Sequence, residues 1–223
     1  MKKRQFAVIG LGRFGSAVAT TLSEIGHEVL GVDAELDSVQ ALADTLAQAL
    51  QLDATDLKAL RAAGVQNFET AIVSIGENIE ASLLVVMQLK DLGVPTIVAK
   101  AVTPVHGRIL EKLGVSRVIF PEREMAVRLA HSLSSPNVLD YIGLSRDFSI
   151  AEIPAPPTLV GRSLRDLELR PRFGLTLIAI KRGAGAAETT VAPGADEVIR
   201  AGDVLALLGR NERLDQIDDL LKE

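Results

Sequence analysis

Val8-Ile9-Gly10-Leu11-Gly12-Arg13-Phe14-Gly15 holds three glycines spaced G-x-G-x-x-G, entered by an apolar run from Phe6 and left by a helical pattern. Asp33 ends the next apolar run, 23 residues after Gly10. Glycines at that spacing are weak evidence alone. Strand, glycines, helix, second strand and acid in that order form a dinucleotide fingerprint. Gly10 allows the tight turn, Gly12 lets the backbone approach a pyrophosphate, and Gly15 lets helix and strand pack closely. The amides at the start of the following helix then face the phosphates.

The pattern repeats outward from this stretch. Near-continuous apolar runs suited to strands occur at 6–9, 28–32, 47–52, 71–75, 96–99 and 117–120. Such runs point to strands covered on both faces, as in a parallel sheet. Helical patterns lie between them, and four finish at Gly26, Gly64, Gly93 and Gly114, each followed by an apolar or aromatic residue. A glycine just past a helix supplies the left-handed turn that closes it. The expectation is α/β: a Rossmann-like doubly wound parallel sheet over 1–134, with right-handed crossovers. The helix near 79–92 carries Leu83, Leu84, Val85, Val86 and Met87 in succession. It must be covered on more than one side, by its own domain or by another subunit.

Pro121 opens a further helix with Glu122 and Glu124 in its first turn and Met125, Ala126, Leu129, Ala130 and Leu133 as its stripe. Residues 135–146 read as a connector whose apolar part, 138–144, packs on a neighbour. From 147 to 223 the pattern changes to short strands at 148–153, 175–181, 189–191 and 203–208, with helical turns near 163–167 and 212–221. Frequent Pro and Gly punctuate it. This is a second, smaller α+β domain. At roughly 75 residues it buries a marginal core alone, so pairing with a second copy would help.

Composition narrows the classes. With 223 residues, 48% hydrophobic and 24% charged, the chain has the make-up of a soluble globular protein. Six Phe, one Tyr and no Trp leave the core aliphatic. No apolar run approaches the roughly 18 residues of a membrane span. Lys2, Lys3 and Arg4 resemble the start of a signal peptide, but the run behind them breaks at Gly10, Gly12 and Arg13. The absence of Cys excludes disulfides, thiolate nucleophiles and zinc–thiolate sites, and fits a cytoplasmic location. A net charge of −5 argues against broad nucleic-acid binding.

In an open parallel sheet, ligands bind outside the carboxyl ends of the strands. The residues there are Gly10, Gly12, Arg13, Phe14 and Gly15, Asp33, Asp53 with Ala54 and Thr55, Ser74 with Gly76, Lys100, and Glu122. Asp33 can accept both ribose hydroxyls and would repel a 2′-phosphate, favouring NAD or adenosine nucleotides over NADP. Arg13 either reaches a terminal phosphate or is a solvated helix charge. Asp53 either reads an adenosine edge or caps the next helix. Lys100 neutralises phosphates or pairs with an acid. Glu122 ligates a cation held against phosphates or serves the helix dipole. Catalytic groups are scarce: His27, His106 and His131 neighbour no strand end and no nucleophile. Tyr141 lacks the lysine four residues later that short-chain dehydrogenases use; Ser145 stands there. The chain reads as a nucleotide binder and not an enzyme, with no catalytic residue.

The stretches 6–15, 26–33 (Gly-His-Glu-Val-Leu-Gly-Val-Asp), 118–122 (Val-Ile-Phe-Pro-Glu), 137–145, 174–181 and 196–203 resemble the RCK (regulator of K+ conductance) family. They are most like its KtrA/TrkA-type cytosolic gating subunits. The resemblance implies an RCK-N Rossmann domain and an RCK-C domain, assembled as an octameric ring of dimers on a membrane K+ channel or transporter subunit of the KtrB or TrkH type. The ring would lie at the inner face of the membrane through that partner. It also implies ATP or ADP as ligand, with NAD a further candidate. Asp33 would take the ribose, Gly10, Gly12 and Arg13 the phosphates, and Lys100 would lie close to them. Glu122 would face a divalent cation or Na+, and cyclic di-AMP would bind the C-terminal domain near 169–178. Asp53 stands where close relatives can carry Asn, which bears on the adenosine contact. Two other readings stay open, an NAD-dependent oxidoreductase and a regulator of a different transporter.

Overall fold

Alternation along single strands explains the first half of the molecule. In the computed structural model, which describes residues 2–134, 138–183 and 188–214, the chain forms two compact units, Met1–Glu122 and Arg123–Glu223. The first runs β1 (Gln5–Ile9), α1 (Arg13–Glu24), β2 (Glu28–Asp33), α2 (Leu36–Gln40), β3 (Gln48–Gln51), α3 (Leu57–Ala62), β4 (Thr70–Val73), α4 (Ile79–Asp91), β5 (Thr96–Lys100), α5 (Pro104–Lys112) and β6 (Arg117–Ile119). All six strands are parallel, in the order β3-β2-β1-β4-β5-β6. Ala7 and Ile9 enter one buried cluster with Val32, Leu60, Val85, Leu89 and Leu110, while Val8 enters another with Ala19, Val29, Val39 and Leu42. Successive side chains of a strand face opposite sides, so β1 is covered on both. The strand order turns back at β1, with β2 on one side and β4 on the other. Its carboxyl end is therefore the switch point where such sheets hold ligands.

The glycines at 26, 64, 93 and 114 all have positive φ, from 74° to 96°. The apolar helix α4 buries Val85, Val86 and Leu89 within its own unit and leaves Leu84 and Met87 exposed. Its own sheet thus covers one side only.

The second unit contains most of α6 (Pro121–Ser134), then β7 (Asp140–Gly143), β8 (Phe148–Pro154), α7 (Leu164–Leu167), α8 (Leu169–Phe173), β9 (Thr176–Arg182), β10 (Glu188–Val191), β11 (Val204–Arg210) and α9 (Asn211–Leu214). The strands form an antiparallel sheet in the order β10-β9-β11-β8-β7. The segment expected to be a connector contains β7, whose Tyr141 is buried while Ile142 is exposed, and which pairs with β8 from Asp140↔Glu152 to Gly143↔Ser149. Period-2 burial was masked there because both faces carry apolar residues. The short helix α8, which buries Leu169 and Phe173, was not anticipated. Of the helix expected over 212–221, residues 215–223 lie outside the described residues. Arg182 binds Asp203, Glu197 and the Val198 carbonyl, tying β9 to the turn before β11. Among the described residues no helix is long and apolar enough to cross a membrane.

Candidate nucleotide-binding site

The glycine turn is built by contact limits that differ at each glycine. Gly10 has φ +93°, and a Cβ there would lie 3.1 Å from the Ser74 carbonyl carbon. At Gly15 a Cβ would fall 1.8 Å from the Gly10 carbonyl oxygen, so only glycine lets α1 pack against the turn. Gly12 is different. Its φ is −63°, and a Cβ built on it meets nothing within 4 Å. Neither its conformation nor the surrounding protein requires glycine, and the space before it stays open. Gly12 is also the N-cap of α1, with no side-chain cap and no acidic residue in the first turn. The first amides of a helix have no partner within it and carry its positive pole. An open, uncapped helix start of this kind fits an anionic phosphate.

Asp33 is held by the backbone. Its Oδ2 accepts the Leu11 amide at 2.5 Å and its Oδ1 the Glu35 amide at 2.9 Å. Each carboxylate oxygen has two acceptor sites, so both retain capacity for a hydroxyl. The turn is fixed further by Gly10 N donating to Val32 O (2.8 Å) and Ser74 N to Ile9 O (2.7 Å). Ser74 is nearly buried, and its Oγ lies 3.1 Å from where a Gly15 Cβ would stand.

The loop after β3 lies beside Asp33, because Leu52 N donates to Asp33 O at 2.9 Å. Asp53 Oδ1 accepts both the Thr55 amide (2.8 Å) and the Thr55 hydroxyl (2.7 Å). Those bonds, the hydroxyl first, hold the Asp53 carboxyl below its ordinary range. The cap of α3 is Asp56, which accepts the Lys58 amide at 2.8 Å. Capping, one of two roles expected for Asp53, thus falls to Asp56. Ala54 is buried in the core.

On the other side of β1 the rim is held by charge. Lys100 Nζ lies 2.5 Å from Glu122 Oε1, with the lysine side chain 13% exposed and the glutamate 68%. The ammonium stands 5.9 Å from the centre of the Phe14 ring and 3.4 Å from where a Gly76 Cβ would be. Lys100 above all, with a contribution from Arg13, holds the Glu122 carboxyl below its usual range. Arg13 itself is exposed at the first residue of α1. Among the described residues no cluster of three or more His, Asp or Glu could hold a metal ion. Of the three histidines, His106 is buried.

The structure thus brings Gly10, Gly12, Arg13, Phe14, Gly15, Asp33, Ser74, Gly76, Lys100 and Glu122 to one rim. It sets Asp53 and Thr55 beside it. Sequence reasoning missed Gln88 on α4, whose Nε2 donates to the Thr55 carbonyl at 2.6 Å. The only signal was a polar side chain directly after an apolar run. An open groove of about 680 Å³ between α1 and α2, lined by Leu11, Ser16, Thr20, Asp37 and Leu42 among others, offers no cation to a phosphate.

Residues 6–121 match the TrkA-N domain and residues 148–222 the TrkA-C domain. The chain is 45% identical over 207 residues to the Ktr system potassium uptake protein C of Bacillus subtilis, covering 93% of this chain and 92% of that protein. It is 41% identical over 219 residues to the Ktr system potassium uptake protein A of the same organism, covering 98% and 97%. Among solved structures, the GsuK channel bound to NAD superposes with a TM-score of 0.65 at 19% identity. That match covers 100% of this chain but only 40% of the channel chain, and it speaks to fold alone.

Proposed function

The chain belongs to the family of proteins that join a TrkA-N to a TrkA-C domain, and we propose that it is the nucleotide-binding regulatory subunit of a membrane potassium channel or transporter, and not an enzyme. Two relatives that match almost end to end are potassium uptake proteins. The observation that carries the nucleotide half is the pairing of two preorganised features. An open, uncapped helix start at Gly12 lies next to a carboxylate, Asp33, already oriented by two backbone amides. Phosphate and ribose would meet finished partners there.

Asp33 takes the ribose, the first amides of α1 take the phosphates, and Arg13 and Lys100 answer their charge. Glu122 supplies one carboxylate toward a divalent cation or Na+; phosphate oxygens and water complete a shell of that type. ATP and ADP are the favoured ligands, and the GsuK channel that shares the fold was solved with NAD. The exposed apolar residues of α4, Leu84 and Met87, and of α6, Met125, Val127, Leu129 and Leu133, support assembly of copies into a ring of dimers. The ring would dock on the membrane partner at its cytoplasmic face.

A nucleotide gates such a ring only through unequal affinity for two of its states. A 100-fold difference supplies about 2.7 kcal/mol of coupling. Titration calorimetry is the test. ATP and ADP are both expected to bind at micromolar concentrations, and small-angle scattering of the two complexes is expected to differ. No heat and no shift with either nucleotide would reject the proposal.

A further inference from the structure

Helix α4 is apolar from Leu83 to Met87, and Gln88 then places an amide in its buried side. That amide is half satisfied: Nε2 donates to the Thr55 carbonyl at 2.6 Å, while Oε1 is buried without a partner. A buried polar atom left unpaired is costly, and an apolar residue of similar size avoids that cost. Packing alone therefore does not account for a glutamine here. What the side chain does accomplish is specific, because it grips one carbonyl of one loop. Thr55 gives its amide and its hydroxyl to Asp53, and the Leu52 amide at the head of the loop is bound to the Asp33 carbonyl. These bonds, with the peptide link between Asp53 and Leu52, connect α4 through Thr55 to Asp33 at the end of β2, the residue that would hold the ribose.

We infer that Gln88 is a positioning residue for the ligand: it tethers the loop of Asp53, Ala54 and Thr55 to α4, in the place where an adenosine base would lie beside Asp33. It touches no ligand itself. Asp53 Oδ1 is spent on Thr55, so only Oδ2 can face a base, and its direction depends on how Thr55 is held. The inference rests on the nucleotide reading above, and its test separates the two.

The experiment uses the full chain and its Gln88→Leu variant, which keeps the apolar volume and removes the orphaned oxygen. Thermal unfolding is expected within about 2 °C of the parent, because the lost bond is offset by the removed unpaired atom. Without nucleotide, hydrogen exchange at the amides of Thr55 and Asp56 is expected to quicken severalfold. ADP affinity is expected to fall about fivefold, the value of one hydrogen bond. Gln88→Glu supplies a readout that packing would not move. Protonated at low pH, its carboxyl donates to Thr55 and restores both loop protection and ADP affinity; ionised, it repels the carbonyl and loses both. Unchanged exchange and unchanged ADP affinity in Gln88→Leu would overturn the inference. If the parent chain binds no ADP, the nucleotide reading fails and the ligand role of Gln88 with it, while the exchange data still decide the tether.

Discussion

The two sides of the rim are held by different forces. Around β1 and β2 the carboxylate and the glycine turn are fixed by backbone: Asp33 by the Leu11 and Glu35 amides, and the turn by Gly10 and Ser74. Around β5 and β6 the rim is held by one ion pair, Lys100 with Glu122, whose acid is largely in water. Backbone bonds cannot be exchanged without unfolding the turn. A solvent-facing ion pair contributes little to stability and swaps partners readily. On the proposed nucleotide reading the first side is suited to recognition and the second to response, since an arriving phosphate would compete directly for the Lys100 ammonium.

The hardest test of the rigid side is Gly15→Ala. Its Cβ would sit 1.8 Å from a backbone oxygen that has nowhere to go. Overpacking against backbone predicts a loss of about 3 kcal/mol in denaturant unfolding, and no detectable ADP binding. A variant as stable as the parent would mean that the turn is not braced as described. Next in size is Asp33→Asn. An amide offers a single acceptor oxygen, so either the Leu11 or the Glu35 N–H is left facing an NH2 group. The expected cost is about 2 kcal/mol by urea titration, together with weakened ADP binding.

Gly12→Ala isolates ligand binding from stability. Its φ of −63° suits alanine, and its Cβ meets only open space. The melting temperature should be unchanged, whereas ADP affinity should fall about tenfold, or 1.4 kcal/mol, because the methyl group occupies the phosphate approach. Equal affinity would place the phosphates elsewhere.

The rigid side was legible in the sequence because backbone requirements are written as residue types: glycine where a Cβ collides, an acid where two amides converge. The parallel sheet was legible for a related reason, since burial on both faces leaves continuous apolar runs. The exchangeable side was not. Nothing in the order of residues tells whether Lys100 meets a phosphate or Glu122, because the pairing depends on how β5 and α6 converge in the fold. Asp53 and Asp56 both follow β3 and both can cap a helix, and only backbone direction distinguishes them. Strand β7 reads as a connector in the sequence because its exposed face also carries an apolar side chain, Ile142. An apolar exposed face erases the period that reveals a strand.

The smallest expected effect tests the exchangeable side by pH. Lys100 holds the Glu122 carboxyl below its ordinary value of 4.5. A group with a lowered folded value binds fewer protons folded than unfolded near that pH. The stability from the pair is therefore present above about pH 4.5 and lost as pH falls through the lower folded value. Because Glu122 is 68% exposed, solvent screens much of this contribution. In Lys100→Met the decline of melting temperature on acidification should be shallower than in the parent. The Glu122 carboxyl followed by NMR should titrate closer to its ordinary value, and the variant should bind ADP more weakly at neutral pH. Should ADP titrated into the parent leave the Glu122 signal where Lys100 puts it, the ammonium has not moved toward the phosphates. The contrast between a fixed and an exchangeable side would then fail, even with both sides correctly built.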